Sequence, residues 1–268
     1  MRVIFLGRKP EAIQALDFLL DRGWEVPCLI CPRKTDDLWW HPTLLEAAAR
    51  RGIPAVTQEA LLKVLVRPQD DPPLGKVIEN VDLVISYLYW RRIKEPLLSR
   101  PLRGAVNYHP APLPEYRGVG GYNFAILNGE RTYGVSAHYI DSTIDTGELI
   151  ARHDFPIDAE RETAYSLYHK SQRALLDLFF EVMPLFEVGC PPGTPQGEGR
   201  YYTREEFEAA KAIGPGSDPV EIDRRARAFW FPPYSGAYFA DDPTRATVVT
   251  EKILRQMGGL LHDASGEC

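Results

Sequence analysis

The chain has 268 residues, 44% of them hydrophobic, enough for one large α/β core and a smaller appendage without metal or disulfide support. Its formal charge is -6 and no long Lys/Arg run occurs, which argues against a general grip on a nucleic-acid backbone and for a small substrate. No stretch approaches the roughly twenty apolar residues of a membrane span, and Met1 to Gly7 reads as a strand rather than a secretion signal, so a cytoplasmic protein is expected.

Arg2 to Gly7 reads as a buried strand, and Glu11 to Leu20 carries Ile13, Ala15, Leu16 and Leu19 or Leu20 at helical spacing. The alternation continues with a strand over Glu25–Cys31, a helix over Pro42–Arg51, a strand over Ile53–Val56, a helix near Ala60–Leu65 and a strand over Val81–Tyr89. Such alternation predicts an α/β fold with a mostly parallel, Rossmann-like sheet flanked by helices. Next come a strand over Gly104–His109, a helix over Gly121–Leu127, and a hairpin of Tyr133–Ile140 and Glu148–Phe155 around Asp145-Thr146-Gly147. Thr163 to Phe186 has the apolar stripe of one long helix. The Pro/Gly-rich stretch from Val188 marks a boundary, dividing a 1–190 catalytic domain from a small 199–268 subdomain. In that subdomain Pro219–Ala228 reads as a helix, followed by the aromatic run Phe229 to Tyr234. Tyr238-Phe-Ala240 and Ala246 to Thr250 read as a closing hairpin, giving a helix-hairpin appendage. The aromatic run suits docking within the protein, a base contact or a homodimer contact through the C-terminal segment.

Two familiar patterns are set aside. Cys28 and Cys31 have Cys-x-x-Cys spacing, but strand geometry sends them to opposite faces, so buried thiols are expected and no metal site. After the first strand only Gly7 of a Gly-x-Gly-x-x-Gly fingerprint is present. Gly7 with Arg8 and Lys9 can approach a phosphate at a helix start; a tight turn with two solvated cations accounts for them equally well.

The most informative stretch is Ala105 to Asp145. In a strand, Asn107 and His109 share a face while Tyr108 points the other way. Asp145, in the loop after the next strand, can reach the same strand end. An amide that donates to an oxyanion, an imidazole with ordinary pKa near neutrality and a carboxylate that orients it suit acyl transfer without a covalent intermediate. Each residue alone has an ordinary structural use in caps and turns. Their conjunction with the rigid loop from Pro110 to Asn123 favours a site. His138, on the following strand, reads as structural or as a neighbour of the site.

The sequences Asn107-Tyr-His109-Pro-Ala-Pro-Leu-Pro-Glu-Tyr-Arg-Gly, Ala125-Ile-Leu-Asn-Gly-Glu, Tyr133-Gly-Val-Ser-Ala-His and Asp145-Thr-Gly-Glu resemble those of formyltransferases that use 10-formyltetrahydrofolate. The resemblance covers nearly all of residues 1 to 190. Arg117-Gly-Val-Gly-Gly-Tyr-Asn-Phe-Ala-Ile and Arg227-Ala-Phe-Trp-Phe-Pro-Pro-Tyr are most similar to the nucleotide-linked amino-sugar N-formyltransferases.

That resemblance implies the formyltransferase fold, Asn107, His109 and Asp145 as the catalytic three, and 10-formyltetrahydrofolate as donor. It implies donor contacts from Ser86, Tyr87, Leu88, Tyr89, Ile140, Asp141, Thr143 and Ile144. It implies acceptor contacts from Gly7, Arg8, Lys9, Tyr116, Arg117, Gly120, Gly121, Tyr122 and Asn123, though for Arg117 bracing of the loop is an equal reading. The implied acceptor is a dTDP-linked amino-6-deoxyhexose, in lipopolysaccharide or glycan biosynthesis. Glycinamide ribonucleotide or methionyl-tRNA as acceptor, hydrolysis of formyltetrahydrofolate, and a nonenzymatic ligand sensor are the competing readings. The acidic balance and the lack of a basic C-terminal domain count against tRNA.

Overall fold

The computed structural model describes residues 1–32 and 40–264. Cys268 and the other terminal residues lie outside that range. In chain order the elements begin with β1 (Val3–Gly7), α1 (Glu11–Asp21), β2 (Leu29–Ile30), α2 (Leu44–Arg50), β3 (Ala55–Val56), α3 (Gln58–Val66), α4 (Pro72–Val77), β4 (Leu83–Tyr87) and β5 (Ala105–His109). They continue with β6 (Arg117–Gly118), α5 (Gly121–Asn128), β7 (Thr132–Tyr139), β8 (Leu149–Pro156), α6 (Ala164–Val182) and α7 (Leu185–Val188). The last are β9 (Tyr201–Tyr202), α8 (Arg204–Ala209), β10 (Ala212–Ile213), α9 (Pro219–Ala228), β11 (Tyr238–Phe239) and α10 (Glu251–Ala264).

The chain forms two compact units, each drawn from three stretches. The first comprises Met1–Pro114, Val135–His153 and Gln172–Gly199, and the second Glu115–Gly134, Asp154–Ser171 and Arg200–Cys268. The C-terminal stretch thus groups with two earlier segments, and the Pro/Gly-rich stretch before it belongs to the first unit.

The main sheet has the order β3-β2-β1-β4-β5-β7-β8. Neighbours from β3 through β5 are parallel, and β7 joins β5 antiparallel. Chain order reverses between β1 and β4, so the carboxyl ends of these strands flank a topological switch point, where open α/β sheets bind ligands. Strand period 2 sorts the core. Ile4, Leu6, Val84 and Ala105 share one apolar cluster with Leu61, Val64 and Leu65 of α3. On the opposite face Phe5, Tyr87 and Tyr108 are fully buried, and Phe179 of α6 packs on both tyrosines at 5.6 and 4.8 Å between ring centroids.

Three expectations need correction. The strand expected over Glu25–Cys31 is regular only at Leu29–Ile30, since Pro27 cannot donate to a ladder. The long helix stops at Val182 and restarts as α7, because Pro184 has no N–H and its ring clashes one turn back. The C-terminal hairpin does not form: Tyr238–Phe239 pairs parallel with Ala212–Ile213, and residues 246–250 contribute a single ladder-like bond, Val248 N–H to Ala237 O at 2.8 Å.

Within the second unit, Phe124 of α5 stacks on Tyr202 at 4.1 Å and Arg227 of α9 is buried. Phe229 packs on Phe207 and Phe231 on Tyr165 and Tyr168, so these two rings of the aromatic run serve packing inside the unit.

Candidate active site

The site grows out of strand register. Ser86 on β4 pairs with Asn107 on β5, which pairs with His138 on β7; His109 pairs with Ser136. Cross-strand partners on one face lie within side-chain reach, and here they form a hydrogen-bonded row. Ser86 Oγ donates to Asn107 Oδ1 at 2.7 Å, and Asn107 Nδ2 lies 3.0 Å from His138 Nε2. His138 Nδ1 lies 2.7 Å from the carbonyl of Tyr139. A carbonyl only accepts, so Nδ1 carries the hydrogen and the neutral ring accepts at Nε2 from Asn107. The amide is thereby held with its carbonyl toward Ser86, and its second N–H is a donor that can meet an oxyanion.

Asp145 closes the arrangement from the loop between β7 and β8. Its Oδ1 lies 3.6 Å from His109 Nδ1 and 3.7 Å from His138 Nε2. The carboxylate thus stands beside both imidazoles, and the side chains of His109, His138 and Asp145 are only 9%, 2% and 12% exposed. Ser136, opposite His109, donates to Ala111 O and accepts from Leu113 N–H, fixing the start of the proline-rich loop.

The expected donor residues stand at the carboxyl end of β4 and in the segment that follows β7. Ser86 belongs to the polar row, whereas the ring of Tyr87 sits in the opposite core, leaving its backbone at the strand end. Leu88 turns the chain with φ of 56°. Tyr89 and Ile140 pack against one apolar cluster, and burial pushes the Tyr89 hydroxyl up to about 12. Asp141 Oδ1 accepts from Thr143 N, Thr143 Oγ1 and Thr146 Oγ1 at 2.8–3.0 Å, so this carboxylate shapes its own loop. Ile144 is 45% exposed, and Arg92 donates to the carbonyl of Ser142 in that loop.

The expected acceptor residues divide between the two units. In the first, Arg8 N–H donates to Tyr87 O at the switch point, and Gly7 is pressed against Leu44, where a Cβ would approach to 2.7 Å. Lys9 has φ of 79° and its Nζ lies 4.0 Å from the centre of the Trp40 ring; Arg8 lies 5.0 Å from that ring and 5.7 Å from Trp90. Burial, reinforced by Arg8 and opposed by Glu11, lowers the Lys9 pKa to about 7. In the second unit, Tyr116 donates to Glu130 and stacks on Tyr202, and Asn123 donates to Ala228 O at 2.6 Å. Tyr122 packs between Tyr133 and Tyr168, Gly120 and Gly121 open α5, and Arg117 N–H bonds Arg200 O. Among the described residues no group of three or more His, Cys, Asp and Glu is placed to hold a metal ion. Cys28 and Cys31 are buried, and burial pushes the Cys28 thiol up to about 12.

A family model for formyl transferases matches residues 2–183. The chain belongs to the formyl transferase family. A GDP-perosamine N-formyltransferase of Brucella melitensis is 37% identical over 162 residues, 60% of this chain and 61% of that relative, so the match spans less than two thirds of the relative's length. A methionyl-tRNA formyltransferase of Agathobacter rectalis is 28% identical over 89% of this chain and 76% of its own length. Two solved structures share the formyl transferase fold. WlaRD, a sugar 3N-formyl transferase in the presence of dTDP and 5-N-formyl-THF, superposes with a TM-score of 0.72 at 23% identity over 90% of this chain and 83% of its own. A 4-N formyltransferase from Francisella tularensis superposes with a TM-score of 0.73 at 19% identity over 93% and 96%.

Gln196 is the neighbour of the site that residue patterns alone did not bring forward. His138, read from the sequence as structural or as a neighbour of the site, lies beside both Asn107 and Asp145.

Proposed function

We propose that this formyl transferase moves the formyl group of 10-formyltetrahydrofolate to the amine of a nucleotide-linked amino sugar. The observation that carries the reading is the convergence of Asn107, His109 and Asp145 at the carboxyl end of β5. The neutral amine attacks the formyl carbon, giving a tetrahedral centre with a negative oxygen and a positive nitrogen. Asn107 donates to the oxygen, and His109, with Nδ1 turned to Asp145, takes the proton from nitrogen. Asp145 stabilises the imidazolium, and as the centre collapses and its C–N10 bond breaks, His109 returns the proton to N10 so that tetrahydrofolate leaves. Residues 86–89 and 140–144 would hold the donor, largely through backbone groups. In the first unit Gly7, Arg8 and Lys9 would serve the acceptor. The acceptor we favour is a dTDP-linked amino-6-deoxyhexose; the GDP-perosamine enzyme among the relatives puts GDP-linked sugars in the same test.

The test mixes the protein with donor and a panel of dTDP- and GDP-linked amino sugars, with glycinamide ribonucleotide and methionyl-tRNA as alternatives. Acceptor mass should rise by one formyl group, and tetrahydrofolate release should require the amine. Release without amine would identify a hydrolase, and binding without turnover a sensor. His109→Ala and Asp145→Asn should each lose about 10²–10⁴ of the rate while nucleotide binding persists; wild-type rates in either variant would refute the assigned roles.

A further inference from the structure

Asp145 has φ of 57°, the left-handed region that a residue with a side chain rarely adopts. Something must hold it there if its carboxylate is to stay between two imidazoles. On one side the turn is pressed against the end of β7, where a Cβ on Gly147 would come within 1.9 Å of the Tyr139 carbonyl oxygen. On the other side stands Gln196. Its Nε2 donates to the carbonyl of Asp145 at 3.2 Å and to the carbonyl of Gly147 at 2.7 Å. One primary amide thus spans both ends of the turn, using its two N–H groups on two peptide oxygens.

Gln196 is itself firmly carried. Thr194 exchanges both backbone hydrogen bonds with Leu149, each at 2.8 Å. Tyr139 Oη donates to Pro191 O at 2.6 Å, and a Cβ on Gly199 would lie 2.0 Å from Pro114 O. The stretch is therefore anchored on both sides of Gln196, and Pro191, Pro192 and Pro195 restrict its backbone further. It also lies beyond the 2–183 span of the family match.

We propose that Gln196 is a positioning residue for Asp145, its side-chain amide clamping the Asp145-Thr146-Gly147 turn so that the carboxylate stays beside His109 and His138. This rests on the proposed function of the same site. Gln196→Met keeps the length of the side chain and removes both donors. It should lower kcat about tenfold or more, leave both KM values within about twofold, and leave Tm within a few degrees. Gln196→Glu, which keeps the shape and presents a carboxylate to the two carbonyls, should do the same. In an Asp145→Asn background the loss from Gln196→Met should shrink below about twofold, because two changes acting through one group are not additive. An equal loss in both backgrounds, or a rise in KM with kcat unchanged, would overturn the proposal. If Gln196→Met does not fold, the cycle with Gln196→Glu decides. If the unmodified protein shows no turnover with any acceptor, the functional reading fails. Crystal structures of wild type and Gln196→Glu then decide the positioning role alone: an Asp145 carboxylate unmoved relative to His109 and His138 would refute it.

Discussion

At the scale of single residues, Lys9 shows how a charged group is kept where water is scarce. Its amine lies over the Trp40 ring, which offsets part of the cost of burying a cation. Burial, with Arg8 beside it, nevertheless lowers the pKa from 10.5 to about 7. Below pH 7 the group is charged in both folded and unfolded chains, and folding bears the full cost of desolvation. Between pH 7 and 10.5 the folded chain sheds the proton that the unfolded chain keeps, so the cost recedes as pH rises. Lys9→Met should therefore stabilise the protein most below pH 7, by roughly 1–3 kcal/mol after allowance for solvent access, and little near pH 10. Thermal unfolding at pH 6 and pH 9.5 checks this. Under the proposed function the same variant should raise the KM of the acceptor, whose phosphates Lys9 would meet.

At the scale of elements, the β7–β8 connection depends on having no side chain at Gly147. An added methyl would collide with the Tyr139 carbonyl, which is backbone and cannot swing aside. Gly147→Ala should cost about 1–3 kcal/mol in urea unfolding and, under the proposed function, slow turnover through displacement of Asp145; an unchanged midpoint would refute the tight packing. This element also marks what the sequence made legible. Alternation along Ala105–His109 was sufficient to place Asn107 and His109 on one face with Tyr108 in the opposite core, because strand period is a local property. The helices Glu11–Asp21 and Pro219–Ala228 were readable for the same reason, with Asp218 capping the latter through Val220 and Glu221 N–H. The row from Ser86 through Asn107 to His138 was not, since it needs the order and register of three strands. Gln196 was less legible still: a proline-rich stretch looks like a boundary until its contacts with a turn fifty residues earlier are seen. The expected hairpin failed likewise, because propensity identified Tyr238–Phe239 as a strand but could not name Ala212–Ile213 as its partner.

At the scale of the whole molecule, the interleaving of stretches means that residues from 200 onward fold as part of a unit that also includes 115–134 and 154–171. Arg227 is the clearest link within that unit. It is 2% exposed, and its Nη1 donates to the carbonyls of Ala159 and Glu162 at 2.6 and 2.8 Å. Its Nε pairs with Asp223 at 2.9 Å, and Asp223 also meets Lys252 at 3.1 Å and accepts from Thr250 at 2.8 Å. Burial pushes the Asp223 carboxyl up, but the hydrogen bonds from Arg227, Thr250 and Lys252 outweigh it and hold the group below its ordinary value. Arg227→Met fills similar volume yet strands two carbonyls and leaves the Asp223 carboxylate with Lys252 and Thr250 alone. Breaking a buried pair by removing one partner is costly even where the intact pair contributes little, so a loss of about 2–4 kcal/mol is expected. Because a lowered carboxylate pKa contributes stability that is lost as pH falls through the carboxyl range, the difference between wild type and Arg227→Met should narrow below about pH 4. Calorimetry at pH 7 and pH 3.5 measures both, and a deficit that stays constant between them would show that the carbonyl bonds, not the Asp223 pair, carry the effect.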